Sequence, residues 1–94
     1  MIEQSDEIYK ERMSYLSDRQ QDVLMAIATE GRATKIFSGN FVKRYNLNSG
    51  SSVQNAIKKL LDDSWIAEEK DVFYVYNPLT RLWLDKLMGR DMVI

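Results

Sequence analysis

Two serine-led capping boxes divide much of this chain into short helices. In such a box a serine hydroxyl accepts a hydrogen bond from a backbone N–H one turn into the helix, and a glutamine three residues later reaches back to the serine N–H. The boxes are Ser17-Asp18-Arg19-Gln20 and Ser51-Ser52-Val53-Gln54. The first predicts a helix from Ser17 to Gly31, and the second predicts a helix from Ser51 to Asp63. The apolar faces consist of Val23, Leu24, Ile27 and Ala28 in the first helix and of Val53, Ala56, Ile57, Leu60 and Leu61 in the second.

Two further helices are predicted before and between these boxes. One runs from Asp6 to Leu16, because apolar side chains recur there at helical spacing with charged residues between them. The other runs from Gly39 to Tyr45, with Ser38 as its N-cap and Asn46 as a left-handed stop. The apolar residues expected to pack are Ile8, Tyr9, Met13 and Leu16 in the first helix, and Phe37, Phe41, Val42, Tyr45 and Leu47 in and around the second.

The apolar pattern changes after Ser64. Aromatic and β-branched residues concentrate in Trp65–Glu68 and Val72–Tyr76, and the polar run Glu69-Lys70-Asp71 between them suits a tight turn, so an antiparallel hairpin is predicted. Asn77-Pro78 then starts a last helix, since asparagine caps well and proline is tolerated in the first helical position. The helically spaced residues that follow are Leu79, Leu82, Trp83, Lys86 and Leu87. The aromatic residues expected to pack in the core rather than to stack on bases, with Tyr74 or Tyr76 exposed, are Trp65, Phe73, Tyr74, Tyr76 and Trp83.

This order of elements predicts a mainly α (α+β) fold, a winged helix-turn-helix with a small antiparallel β-hairpin as the wing and flanking N- and C-terminal helices. The 94 residues are enough for one compact domain and too few for two. We expect residues 1–16 to form an N-terminal linker helix and residues 17–94 to form the winged-helix domain. In this fold the helix from Ser51 to Asp63 is the one that enters a DNA major groove.

Composition argues against catalysis and against a membrane location. The chain has no Cys and no His, so it lacks thiolate ligands, cysteine nucleophiles and the commonest general base. No apolar run approaches the roughly 18 residues of a membrane span, and the charged N-terminus is unlike a signal peptide. The adjacent acids Asp62-Asp63 and Glu68-Glu69 point apart and suit solvation better than metal binding. We therefore expect a cytoplasmic, non-enzymatic domain with no cofactor of its own and no membrane partner.

The charge distribution is uneven although the net charge is −1. No acidic residue occurs from Gly31 to Leu61, while this stretch holds six basic residues. Because a solvated surface normally mixes both signs, the basic middle of the chain favours contact with double-stranded DNA. Amide side chains can pair with adenine, while serine and basic side chains can reach phosphates. The candidate contacts are Ser51, Ser52, Gln54, Asn55, Lys58 and Lys59 on the recognition helix, Lys43 and Arg44 on the preceding helix, and Arg32 and Lys35 in the loop.

Two observations keep other functions open. A polar helix face is also what any surface helix shows to water. In addition, the predicted wing carries Glu68, Glu69 and Asp71 around a single Lys70, and acids beside a phosphate backbone repel it. If the domain binds DNA, we expect the recognition helix to do most of the binding and a single copy to bind weakly. A protein-docking role is the alternative.

Three segments carry a resemblance to a known family. They are Leu16 to Ala28, Ser49 to Leu61, and the run Tyr74-Val75-Tyr76-Asn77-Pro78 that continues to Leu84. In order and spacing they resemble the C-terminal winged-helix domain of the archaeal-type AAA+-like P-loop ATPases, over about Tyr9 to Leu84. Asn77 stands where that family more often has Asp, and both residues cap helices.

The resemblance implies a non-catalytic domain of a longer ATPase. This chain has no G-x-x-x-x-G-K-[ST] motif, so ATP and Mg²⁺ would bind in a part encoded upstream of Met1. The helix from Asp6 to Leu16 would then link to that part, and the ATPase core of the same protein becomes a possible partner. A protein-interaction or regulatory module and a freestanding transcriptional regulator are the alternatives. For the regulator, the expected dimer interface consists of Ile8, Tyr9, Met13 and Leu87.

Overall fold

Residues 2–89 fold into five helices and one two-stranded antiparallel sheet, as expected for a winged helix-turn-helix. The computed structural model describes the backbone of residues 2–89 and the side chains of residues 7–89, so Met1 and residues 90–94 of the expected domain lie outside the described residues. Among residues 2–89, no helix is both long and apolar enough to cross a membrane. The elements are α1 (Ile2–Ser14), α2 (Asp18–Glu30), α3 (Gly39–Tyr45), α4 (Gly50–Asp62), β1 (Ile66–Glu69), β2 (Val72–Val75) and α5 (Pro78–Leu87).

The predicted ends of α2 and α3 are confirmed. The Ser17 hydroxyl accepts from the Gln20 N–H at 3.2 Å, and the Gln20 side chain accepts from the Ser17 N–H at 2.9 Å, so both bonds of the capping box are present. Gly31 ends α2 with a φ of 79°. Ser38 caps α3, and Asn46 ends it in the left-handed conformation.

The predicted start of α4 is wrong by two residues. Ser49, rather than Ser51, is the N-cap, and its hydroxyl accepts from the Ser52 N–H at 3.2 Å. The helix begins at Gly50, where an added Cβ would lie 3.1 Å from the carbonyl oxygen of Phe37. A residue without a side chain therefore lets the loop before α3 approach the start of α4 closely. This shift removes Ser51 and Gln54 from capping and leaves both side chains exposed.

The hairpin has a two-residue turn, one residue shorter than the predicted turn. Glu69 pairs with Val72, so only Lys70 and Asp71 lie between the strands. The loop after α2 joins this sheet through Ala33, whose N–H donates to the Phe73 carbonyl at 2.8 Å and whose carbonyl accepts from the Phe73 N–H at 2.9 Å. The wing is therefore held to the loop that precedes α3.

Both turn residues adopt conformations that favour glycine or asparagine. Lys70 has a φ of 52° and Asp71 a φ of 65°, and the left-handed region costs an ordinary L-residue about 1–2 kcal/mol. We expect Lys70→Asn together with Asp71→Gly to stabilise the domain by about 1 kcal/mol, measured as the free energy of unfolding in urea. Asp71→Ala is the matched control and is expected to give no stabilisation, because alanine also disfavours positive φ. An unchanged urea midpoint in the double variant would contradict this account of the turn.

Trp65 lies where α1, the end of α4 and the hairpin meet. It is 1% exposed, and α1 covers it through Tyr9, at 6.4 Å between ring centroids, and through the Arg12 guanidinium, 4.5 Å from the indole centroid. Arg12 also donates to the carbonyl of Asp63 at 3.0 Å. The helix α1 is thus packed onto the same core as the winged helix-turn-helix. Tyr9 packs half-buried against the core and Met13 is buried in it, so neither is available for the dimer interface expected from the sequence.

The residues that form the buried face of α5 differ from those that the helical spacing predicted. Leu79 and Leu82 are 67% and 62% exposed, whereas the buried residues are Thr80, Trp83 and Leu84. This face packs against α2, α1 and the hairpin, and the Tyr9 hydroxyl of α1 accepts from the Thr80 hydroxyl at 3.0 Å. The aromatic prediction is confirmed for Trp65, Phe73 and Trp83, which are buried, and for Tyr76, which is exposed.

Candidate nucleic-acid interface

The exposed side of α4 carries Ser51, Gln54, Asn55 and Lys58, which we call the polar face of α4. These residues follow the i, i+3, i+4, i+7 spacing of one helix face. The opposite side is buried against the core, mainly against α2. That side consists of Val53, Ala56, Ile57 and Leu60, whereas Leu61 is more exposed than its spacing predicted. The amphipathic pattern of α4 therefore turns four of its six candidate contacts toward solvent.

Ser52 belongs to the N-terminal cap of α4. Its hydroxyl accepts from the Ser49 hydroxyl at 3.2 Å and from the Asn48 side-chain amide at 3.1 Å. Asn48 has a φ of 77°, and Ser49, which follows it, has the extended backbone of an N-cap. The Ser52 side chain is therefore part of the hydrogen bonding around the Ser49 cap, whereas Ser51, the predicted cap, is exposed.

The two adjacent lysines of α4 differ in their surroundings. Lys59 pairs with the Asp63 carboxylate at 3.3 Å, one helical turn later. Lys58 is exposed and has no ion-pair partner among residues 7–89. Because an exposed i, i+4 pair neutralises part of the local field, Lys58 is the stronger phosphate-binding candidate.

Arg44 is held by an acid on another helix. Its guanidinium lies 2.9 Å from the Glu30 carboxylate, and the same carboxylate oxygen accepts a short hydrogen bond from the Tyr45 hydroxyl. The Tyr45 hydrogen bond and the charge of Arg44 hold the pKa of Glu30 below its usual value. The bond to Glu30 raises the pKa of Arg44, while burial and then the bond to Glu30 raise the pKa of Tyr45. Arg44 therefore connects the ends of α2 and α3 and is only partly available to an external phosphate.

Two open grooves border the N-terminal half of α4. The α3–α4 groove has a volume of about 590 Å³ and contains the exposed Lys43. The α2–α4 groove has a volume of about 240 Å³ and contains Arg19 beside Asn55. Neither groove is lined by an acidic residue among those described. The lining residues are Phe37, Ser38, Gly39, Asn40, Val42, Lys43, Asn48, Ser49 and Gly50 in the first groove, and Ser17, Arg19, Gln20, Ser52, Asn55 and Ala56 in the second.

Arg19 was not predicted as a candidate contact because it lies outside the acid-free stretch. Its guanidinium donates to the carbonyl of Asn46 at 3.1 Å and lies 3.7 Å from the Asp22 carboxylate. One feature of the sequence could have identified Arg19 as a candidate contact. It lies in the first turn of α2, where the helix dipole disfavours a cation, so a basic residue there does not serve the helix itself.

The remaining charged candidates lie near the wing. Arg32 and Lys35 are exposed, and Arg32 directly precedes Ala33, which pairs with the sheet. The acids of the wing, Glu68, Glu69 and Asp71, are exposed as well. Among residues 7–89, no group of three carboxylates converges in a way that would hold a metal ion. The wing thus presents net negative charge beside a basic loop.

The fold defines a winged helix domain, and comparison with known families agrees. The chain belongs to the family described as probable winged helix domain, which matches residues 7–86. The match includes all of α2, α3, α4 and both strands, and most of α1 and α5. No curated protein and no solved structure matches the chain significantly.

Proposed function

We propose that this domain binds double-stranded DNA and that the polar face of α4 lies in the major groove. The observation that carries the proposal is the combination, on one face of α4, of exposed amides and a lysine with no ion-pair partner among residues 7–89, while the other face of the helix is buried. In addition, α4 has no acidic residue before Asp62, so no carboxylate of the helix itself repels phosphates at its N-terminal half.

The side chains suit distinct contacts in such a complex. Asn55 and Gln54 carry a donor and an acceptor on one planar group, which pairs with the exposed edge of adenine. Lys58 and Lys43 suit phosphates, as does the Ser51 hydroxyl. We expect smaller contributions from Lys59, Arg44 and Ser52, because each already has a partner within the fold. The domain has a binding role in this proposal and no catalytic one.

We further propose that the domain is part of a P-loop ATPase. The support is the resemblance of three segments to the C-terminal winged-helix domain of the AAA+-like P-loop ATPases. The segments are Leu16 to Ala28, Ser49 to Leu61 and Tyr74 to Leu84. The expected finding is a G-x-x-x-x-G-K-[ST] motif encoded upstream of Met1 in the same reading frame. A stop codon directly upstream would contradict the ATPase context and favour a freestanding regulator.

A protein-docking role is the second candidate, and the exposed leucines of α5 favour it. Leu79, Leu82 and Leu87 are all exposed, with Tyr76 just before the helix. Exposed apolar residues grouped in this way are often interaction sites. In an ATPase context the expected partner is the ATPase core of the same protein. Leu79→Ser with Leu82→Ser would then release the domain from that core and leave DNA binding unchanged.

The DNA proposal is tested by binding of a fluorescein-labelled duplex, followed by anisotropy at several salt concentrations. We expect weak binding that falls steeply with salt. Lys58→Ala is expected to weaken it by about fivefold to tenfold at 0.1 M salt and to lower the magnitude of the salt slope by about one.

Lys86→Ala is the matched control, since Lys86 is an exposed lysine on α5, away from the proposed interface. Its binding is expected to equal that of the wild type. The proposal fails if the wild type shows no binding at low salt, or if the two lysine variants behave alike.

A further inference from the structure

We propose that the α2–α4 groove receives a phosphate of the DNA backbone and that Arg19 is the residue that binds it. This inference rests on the proposed DNA-binding function and adds a contact outside the helix-turn-helix. The groove contains Arg19 and Asn55 on facing helices, and no acid lines it. A backbone contact there would extend the interface from α4 onto the first turn of α2.

The positions of the two grooves around α4 support the inference. Gly50 borders the α3–α4 groove, and Ser52 borders the α2–α4 groove. Two residues of separation place them roughly 200° apart around the helix axis, so the grooves lie on opposite flanks of α4. The polar face lies between these flanks.

This arrangement matches the surroundings of a helix in a major groove. Such a helix lies between two phosphate backbones that border a groove about 12 Å wide. Each flank of α4 offers one cation, Lys43 on the α3 side and Arg19 on the α2 side. When Lys43 and Arg19 each bind a phosphate, the domain contacts both strands of the duplex, and these contacts fix the depth at which α4 enters the major groove.

The side chain of Arg19 is already positioned for this contact. One N–H is held by the carbonyl of Asn46, which restricts the guanidinium and leaves further donors of its planar fork unused among the described residues. Three other polar side chains of the groove are held at helix caps: Ser17 and Gln20 accept from each other's backbone N–H, and Ser52 accepts from the Ser49 hydroxyl. Arg19 is the lining residue that carries a positive charge, and the Asn55 amide can donate beside it. Arg19 is therefore the lining side chain best suited to bind a phosphate oxygen.

Asp22 competes for the same guanidinium. Its carboxylate lies 3.7 Å from Arg19, which is too long for a hydrogen bond, and both side chains are more than a third exposed. Such a pair adds little to stability but repels an approaching phosphate. Removing the carboxylate charge should therefore strengthen DNA binding without disturbing the bond from Arg19 to Asn46.

The experiment uses the full chain and a fluorescein-labelled 20-base-pair duplex of mixed sequence. We expect Arg19→Ala to weaken binding by about fivefold at 0.1 M salt and to lower the salt slope by about one. Asp22→Asn is expected to strengthen binding by about twofold to threefold. Arg81→Ala, which removes an exposed arginine of α5, is the matched control and should leave binding unchanged. Circular dichroism confirms that each variant folds.

The outcomes separate this inference from the proposed function. If Lys58→Ala weakens binding while Arg19→Ala keeps the wild-type affinity and salt slope, the groove contact is wrong and the DNA-binding role stands. The same holds if Asp22→Asn binds no more tightly than the wild type. If the wild type fails to bind the duplex at low salt, both proposals fail.

Discussion

Replacing Trp65 with alanine is expected to destabilise the domain by about 3–5 kcal/mol. The indole is 1% exposed, and removing it leaves a cavity beneath α1. The loss would take away the ring contact with Tyr9 and the stacking of the Arg12 guanidinium. Since small domains are stable by only about 5–15 kcal/mol, much of the folding free energy would disappear. Urea and thermal unfolding followed by circular dichroism would measure the change.

The backbone around Trp65 explains why this position matters more than most. Its N–H donates to the carbonyl of Leu60 at 2.9 Å, and its carbonyl accepts from the N–H of Tyr76 at 3.1 Å. The backbone of Trp65 therefore links the end of α4 to the open end of the hairpin, just before β1 and just after β2. Tyr15→Ala is the control, because Tyr15 is an aromatic residue just after α1 that is 70% exposed, and we expect a change within about 0.5 kcal/mol. A loss below 1 kcal/mol in the Trp65 variant would contradict this view of the core.

Reversing the charge of the wing is expected to give the largest change in DNA affinity. Glu68 and Glu69 are exposed on the hairpin, where the wing of a DNA-bound winged helix faces the phosphate backbone. Glu68→Lys together with Glu69→Lys replaces repulsion by attraction, and we expect duplex binding at 0.1 M salt to strengthen by about tenfold or more. Anisotropy with the same labelled duplex would measure it, and the magnitude of the salt slope should rise.

A matched variant separates a local effect from a change in overall charge. Glu7→Lys with Glu11→Lys alters the net charge by the same amount on exposed positions of α1. We expect a much smaller gain from this control, since charges beyond about 10 Å are screened at 0.1 M salt. Equal gains in the two variants would mean that the wing does not lie beside the DNA.

Much of the fold was predictable because its signals are local. The Ser17–Gln20 capping box, the Ser38 cap and the left-handed Asn46 each depend on a hydrogen bond or backbone angle within one helical turn. The Asn77-Pro78 start of α5 is of the same kind, with the Asn77 side chain accepting from the Leu79 N–H at 2.8 Å. Such contacts involve residues that are close in sequence, so their pattern can often be identified without the tertiary structure.

The errors lie where elements that are distant in sequence meet. At the start of α4, where two serine-led starts are close together, Ser49 is the cap, and the Phe37 carbonyl approaches Gly50 closely enough to disfavour a side chain there. The buried face of α5 is likewise the one that packs on α2, α1 and the hairpin, with Thr80 bonded to Tyr9. These partners are far along the chain from the elements that they contact.

The same distinction applies to the candidate interface. The polar face of α4 follows from helical spacing, and its acid-free surroundings are visible in the sequence. The pairing of Arg44 with Glu30 and the position of Arg19 beside Asn55 required the packing of α2 against α3 and α4. Charge is a property of each residue, but its availability to a phosphate depends on neighbours brought together by folding.

Residue type and short-range spacing were enough to fix the caps of α2, α3 and α5, the two faces of α4, the hairpin and the basic middle of this winged helix domain. Long-range packing fixed the start of α4, the buried face of α5 and which basic side chains have no ion-pair partner among residues 7–89. It did so because burial and ion pairing depend on contacts between elements that are far apart along the chain, such as Tyr9 with Thr80 and Arg44 with Glu30.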